Sequence, residues 1–317
     1  MTRVTFTNLL NKGLDLYHQG RFEEAYQLMT ENAGHVPRND AQVYDFRASL
    51  ACRAGRPDHC LELLTEAVMD KGCWYSQEYL TEDDDIRPAA ALPGFARLLD
   101  VCAERERQAR DECVSDVLHA RRGARDVRSP LIIVLHGNAQ NAHIAQEDWG
   151  AGEHELDMAF VRSSQIIFSD AYVWTDLDRG TADLKEQVGK LRGSGELEGR
   201  EVIIAGFSAG ARLALHAVLN DHVRADGMVL VGPWLPEIDD WLDPILRAKD
   251  RVRGARIICG DRDEDCLPGS RKLHEALDRA GVPSLLRTVG GMGHDFPDDF
   301  TVTLPSLIRG LLDRDGR

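Results

Sequence analysis

Apolar positions follow two different rhythms along this chain. Over residues 1 to about 105 they recur at helical spacing: Leu9, Leu10, Leu14 and Tyr17, then Phe22, Ala25, Tyr26 and Met29. Gly20-Arg21 between the two sets marks a corner between helices, and a further helix is expected around Pro93 to Leu99. From Ser129-Pro130 onwards the rhythm changes to short unbroken apolar runs at Leu131–Leu135, Ile166–Phe168, Val202–Ala205, Met228–Val231, Ile257–Cys259 and Leu285-Leu286. Such runs mark strands covered on both faces. Helix-length segments lie between them at Thr181–Leu191, Ala209–Leu219 and Gly269–Ala280. The alternation predicts an α/β fold, a mostly parallel sheet flanked by helices and preceded by an all-α region. In such a sheet the chemistry gathers beyond the carboxyl ends of the strands.

The helical region repeats itself. Tyr17-His18-Gln19-Gly20-Arg21 and Cys52-Arg53-Ala54-Gly55-Arg56 share an offset that Leu28-Met29 and Leu63-Leu64 keep. Gly13, Ala25 and Pro37 are evenly spaced and resemble the small-residue and proline positions of tetratricopeptide repeats, with Ala48, Cys60 and Gly72 in the second copy. That resemblance implies a tetratricopeptide-like domain over 1–105 and leaves open a protein or peptide partner. Glu82–Asp85 reads as a solvated loop. Residues 106–128, charge-dense and carrying Arg121, Arg122 and Arg125, read as a helix and linker, and 129–317 as the α/β domain.

Within the α/β part, Gly206-Phe207-Ser208-Ala209-Gly210 follows an apolar strand and opens an apolar helix. A serine between two glycines at a strand-to-helix bend suits a nucleophile elbow: the bend lifts the hydroxyl out of the sheet, and side chains two residues either side would collide with strand and helix. The Ala209 N–H, at the helix start, then points where a negative oxygen forms.

A serine hydroxyl needs a base, and the base an acid to orient it. Four histidines follow Ser208. His216 and His222 flank the end of the elbow helix, and His274 lies within the Gly269–Ala280 helix. His294 follows the strand around Leu285-Leu286 in a glycine-rich loop, the position a base requires. The acid is expected just after Ile257–Cys259, where Asp261, Asp263, Glu264 and Asp265 compete and spacing does not choose. The run is not a calcium loop, because Cys266 and Lys272 stand where that loop needs glycine and glutamate.

In order, His136-Gly137, the Ser208 elbow, Gly260-Asp261-Arg262-Asp263 and Gly293-His294 make segment 129–317 resemble the α/β-hydrolase superfamily. The likeness is greatest to its small lidless carboxylesterases, phospholipase/carboxylesterases and dienelactone hydrolases. The resemblance implies Ser208 as nucleophile, Asp263 as the acid (three residues after a glycine), His294 as base, and backbone N–H groups of Asn138 and Ala209 as the oxyanion hole. It implies a carboxylesterase acting on small or exposed esters, with no metal or organic cofactor. A peptidase of prolyl-oligopeptidase type, or a partner-binding scaffold with an inactive hydrolase half, are the competing readings. Trp149, Trp174 and Trp234, each following an expected strand, are candidates for the substrate pocket, as is Trp241.

Composition narrows the field. A net charge of −15 over 317 residues argues against nucleic-acid and membrane-surface roles. No apolar run approaches a membrane span, and Met1–Leu10 lacks a signal pattern, so a cytoplasmic protein is expected. The seven cysteines, without a CxxC pair, fit structural thiols better than a disulfide or zinc framework.

Overall fold

The computed structural model describes residues 5–35, 40–120, 129–247, 249 and 251–313. Pro37 and the basic cluster Arg121, Arg122 and Arg125 lie outside them. The chain divides into two compact units, one of Met1–Cys113 with Gln165–Tyr172, the other of Val114–Ser164 with Val173–Arg317.

The first unit is helical: α1 (Phe6–His18), α2 (Phe22–Asn32), α3 (Asp40–Arg53), α4 (Pro57–Thr65) with a π-helical turn at Glu66–Asp70, α5 (Gln77–Glu82), α6 (Arg87–Ala90) and α7 (Phe95–Glu112). Thr5 caps α1 by accepting the Asn8 N–H at 3.2 Å. Gly13 sits mid-helix because a Cβ there would stand 2.5 Å from the Phe46 ring. The α1–α2 and α3–α4 corners are built alike. Gly20 (φ 73°) and Gly55 (φ 78°) both take the left-handed conformation, each N–H bonding the carbonyl three residues back at 2.9 Å. The core between the helices holds Ala48, Leu64, Trp74, Tyr75, Leu98 and Cys102.

This unit also contains a hairpin from far along the chain, β4 (Ile166–Phe168) with β5 (Ala171–Tyr172). Trp74 N–H donates to Ser169 Oγ (2.7 Å), Ser169 N–H to the Trp74 carbonyl (3.0 Å), and Gln42 Nε2 to the Asp170 carbonyl (2.9 Å). Phe168 packs on Tyr75 and Tyr79. The apolar run Ile166–Phe168 is thus not a strand of the main sheet.

The second unit is the expected sheet with flanking helices. Its elements are β1 (Asp116–Ala120), β2 (Leu131–Leu135), α8 (Ala142–Asp148), β3 (Asp157–Arg162), α9 (Leu177–Gly193), β6 (Val202–Phe207), α10 (Ala209–Leu219), β7 (Gly227–Val231), α11 (Leu242–Leu246), β8 (Ala255–Gly260), α12 (Leu267–Arg279), β9 (Ser284–Val289) and α13 (Phe300–Leu312). The strand order is β1-β3-β2-β6-β7-β8-β9, parallel throughout except for antiparallel β1. β1 lies in the segment expected to be linker, and β3 takes the place that Ile166–Phe168 was expected to fill.

Alternate residues of each strand serve opposite layers. Leu131, Ile133 and Leu135 pack with Leu184, Leu213 and Leu273 from α9, α10 and α12, whereas Ile132 and Val134 pack with Ala145 from α8 and Phe300, Leu304 and Ile308 from α13. Among the described residues no helix is long and apolar enough to cross a membrane.

Candidate active site

Ser208 follows β6 and precedes α10 with φ 54° and ψ −119°, a backbone conformation that costs about 1–3 kcal/mol for a residue with a side chain. Its surroundings hold it there. Ser208 N–H donates to the Val231 carbonyl at the end of β7 (2.9 Å), while its own carbonyl accepts N–H groups from Arg212 (3.1 Å) and Trp234 (3.3 Å). The two flanking glycines make the bend possible. A Cβ on Gly206 would stand 2.5 Å from the Gly210 carbonyl carbon, and one on Gly210 would overlap the carbonyls of Leu135 and His136. Ser208 keeps part of its surface exposed, and Ala209, the first residue of α10, is buried with its N–H among those that the helix leaves unpaired.

Contact separates the carboxylates that spacing leaves open. His294 Nδ1 lies 2.6 Å from Asp263 Oδ2, and the other oxygen of Asp263 accepts the Cys266 N–H at the start of α12 (3.2 Å). Asp261 plays a different part, since its side chain accepts the Gly291 N–H (2.7 Å) and so shapes the loop that carries His294. The two loops meet because Gly260 has no side chain, and a Cβ there would overlap the Met292 and Gly293 carbonyls. The Arg262 N–H to Met292 carbonyl bond (3.0 Å) pins the contact.

Asp263 is shielded, with 4% of its side chain exposed against 37% for His294. Burial pushes the Asp263 carboxyl up, but the hydrogen bond and charge of His294 and the Cys266 N–H pull harder, leaving it below the usual carboxylate range. The two nearby thiols move the other way: burial raises Cys259 to about 11 and Cys266 further still, so both stay protonated. One donor atom each from Asp263, Cys266 and His294 lie within 4.8 Å of one another, close enough to grip an ion, but the His294–Asp263 hydrogen bond already engages the first and last.

Phe207 joins these parts. Its ring lies 4.7 Å from the His294 ring and 4.8 Å from Phe296, centroid to centroid. Gly137 and Gly232 leave room for it: Cβ atoms there would stand 2.9 Å and 3.4 Å from the Phe207 ring. The same Cβ on Gly232 would stand 3.1 Å from the His294 ring. The elbow, the His136-Gly137-Asn138 loop, the turn after β7 and the His294 loop therefore converge on one side chain. Neither Phe207 nor Gly232 stands out in the sequence, because their signal is spatial. Phe207 carries only its place beside the serine.

The Asn138 loop is tied from several directions. Asn138 is exposed, and its side-chain oxygen accepts the Trp174 N–H at 2.9 Å. The Gly137 N–H donates to Gln140 Oε1 at 2.7 Å. Buried His136 accepts the Ser163 N–H at Nε2 (3.2 Å) and donates from Nδ1 to the Gly137 carbonyl (2.6 Å). Burial lowers its pKa to about 4, so it is neutral and structural.

The tryptophans divide. Trp149 is fully buried against Phe296 and Phe300, and Trp174 is fully buried, stacked on His136 with its indole N–H on the His136 carbonyl at 2.8 Å. Trp234, 38% exposed and bonded through its N–H to the Ser208 carbonyl, alone among these three keeps surface beside the elbow. The Arg212 guanidinium, paired with Glu237, covers one face of its ring.

Residues 5–110 match the family model for the A/B hydrolase-like N-terminal domain. Over 98% of its length the chain is similar to a crystal structure of an uncharacterized protein from Bacillus cereus ATCC 10987, covering 100% of that chain at 34% identity and a TM-score of 0.55. Esterase PE8 shares the fold with 18% identity, 63% of this chain, 99% of its own and a TM-score of 0.51. The Bacillus cereus carboxylesterase does so with 16% identity, 65%, 98% and 0.50. Comparison with curated protein sequences gives no match. The elbow, the sheet and these likenesses agree: the chain has an α/β-hydrolase fold, preceded by a helical region that matches the A/B hydrolase-like N-terminal domain.

Proposed function

We propose that the protein is a serine hydrolase that cleaves small or exposed carboxylic esters through an acyl-serine intermediate. The observation that carries this reading is the His294–Asp263 hydrogen bond of 2.6 Å, with the His294 ring packed on the residue before Ser208. His294 takes the Ser208 proton as the serine oxygen attacks the ester carbonyl. The Asn138 and Ala209 N–H groups receive the oxyanion, and Asp263 holds the imidazole and offsets its positive charge. His294 then protonates the leaving alcohol. Water, deprotonated in turn by His294, releases the acid and restores Ser208. No group beyond these side chains and backbone donors is required.

Preference for small or exposed esters is supported by the connection from β7 to β8, whose described part contains only the five-residue α11, and by the exposed face of Trp234. Names of the fold relatives, an esterase and a carboxylesterase, agree with this choice of substrate.

The test is a fluorophosphonate probe together with p-nitrophenyl acetate, butyrate and octanoate. Wild type is expected to be labelled and to release p-nitrophenol fastest from the short esters. Ser208→Ala should lose labelling and at least about 10³-fold in kcat. Labelling that survives in Ser208→Ala removes the serine from its role. Cleavage of p-nitroanilides with kcat/KM matching the esters replaces esterase with peptidase.

A further inference from the structure

The residues of the candidate active site lie at the carboxyl ends of β6, β8 and β9. A cavity of about 680 Å³ opens at the opposite end of the sheet, at the amino ends of β6, β7 and β8. Its wall includes Val202, which begins β6, Asp226, which precedes β7, and Val252 and Arg253, which precede β8. A second cavity of about 290 Å³ shares Arg192, Asp221 and Arg224 with it. The six residues of β6 span about 20 Å, so a molecule bound here does not touch Ser208.

The lining is cationic in an acidic protein. Among the described residues five Lys and Arg side chains stand against two carboxylates, although the whole chain carries a net −15. Two of the five are engaged. Arg253 holds Glu201 at 2.5 Å and Asp226 at 2.7 Å, and Asp226 also accepts the Val202 N–H. Arg251 donates to the Leu219 carbonyl that ends α10. Arg192, Arg224 and Lys249 make no ion pair among the described residues, and Asp221 is the one lining carboxylate left to oppose them. Leu197 and the buried Val252 give the cavity apolar wall between the charges.

Two guanidiniums present planar donor forks suited to phosphate oxygens, and a lysine adds a point charge. The volume falls in the range of small-molecule sites. A polyanion is disfavoured, because the surface as a whole repels it.

We propose that this cavity is a binding site for a phosphorylated small molecule of about mononucleotide size, with its phosphate on Arg192, Arg224 and Lys249 and its organic part against Leu197 and Val252. The competing account is that these cations only offset the negative carbonyl ends of α9 and α10.

Isothermal titration calorimetry on the full chain separates the two, with AMP, inorganic phosphate and adenosine as probes. AMP is expected to bind with a submillimolar Kd, at least tenfold tighter than either phosphate or adenosine. Arg192→Ala/Arg224→Ala should weaken AMP at least tenfold, whereas Arg271→Ala/Arg309→Ala, which removes two cations elsewhere, should not. If the double variant does not fold, Arg224→Ala alone carries the test with a severalfold loss. Ser208→Ala should bind AMP as wild type does, so the proposal stands or falls apart from the hydrolase reading. No heat from AMP up to 10 mM overturns it, as does phosphate binding as tightly as AMP. A double variant with lowered Tm but unchanged AMP affinity also overturns it, in favour of the helix-end account.

Discussion

Each unit of the molecule holds a carboxylate that burial destabilises in its charged form, and the two end on opposite sides of the ordinary range. In the helical unit burial pushes Asp45 up to about 7; its hydrogen bond from Tyr79 (2.7 Å) resists and the nearby Asp83 charge adds to the rise. In the α/β unit burial also pushes Asp263 up, but the His294 hydrogen bond and charge outweigh it and leave the carboxyl low. Desolvation is common to both. The partner differs: Tyr79, a phenol that burial keeps neutral, can only share a proton, whereas an imidazole can carry positive charge. An acid meant to stabilise a cation needs the second arrangement, the one Asp263 has.

Opposite shifts give opposite pH slopes. Asp45, with its folded value raised, contributes stability that is complete below the unfolded carboxylate range and lost as pH rises through about 7. Asp263, with its folded value lowered, contributes stability present above that range and lost as pH falls through its folded value.

The largest expected break in this comparison is Asp263→Asn. It should lower kcat for a short p-nitrophenyl ester by about 10³–10⁴-fold with circular dichroism unchanged, because the amide leaves His294 neither oriented nor compensated. A loss under tenfold would remove Asp263 as the orienting acid. Asp45→Asn is the counterpart. It keeps an acceptor for the Tyr79 hydroxyl, so it should raise stability at pH 8 by about 1–2 kcal/mol and change little at pH 4, with ester turnover untouched. Urea melts at both pH values read this, and equal effects at both would refute the raised Asp45. The smallest effect belongs to Tyr79→Phe. Removing one donor should cost about 1 kcal/mol at pH 8, where the acceptor is ionised, and less at pH 4.

The parts of the fold visible in the sequence are those whose signal is local. Leu131–Leu135, Val202–Ala205 and Met228–Val231 are unbroken apolar runs, and they are central strands buried on both faces. β3 is hidden because Asp157 and Arg162 bracket only four apolar residues, while the more conspicuous Ile166–Phe168 belongs to a hairpin of the helical unit. β1 is hidden as an edge strand with a mixed, half-exposed pattern inside a charged stretch. α13 is hidden by the helix-interior Pro305 and its threonines.

The candidate site divides in the same way. The Ser208 elbow and the glycine loop before His294 are short motifs that announce themselves. The contact that singles out Asp263 from Asp261, Glu264 and Asp265 comes from Gly260 meeting Met292 and Gly293. No inspection of one segment reveals that.

The hairpin Gln165–Tyr172 has a consequence for synthesis. The helical unit occupies the start of the chain, yet it contains these eight residues from beyond β3. At ordinary ribosomal speeds the intervening stretch of about fifty residues takes several seconds to emerge. During that interval Trp74 and Gln42 wait without Ser169 and Asp170. The first-made part of this protein is therefore finished only after the second has begun to appear.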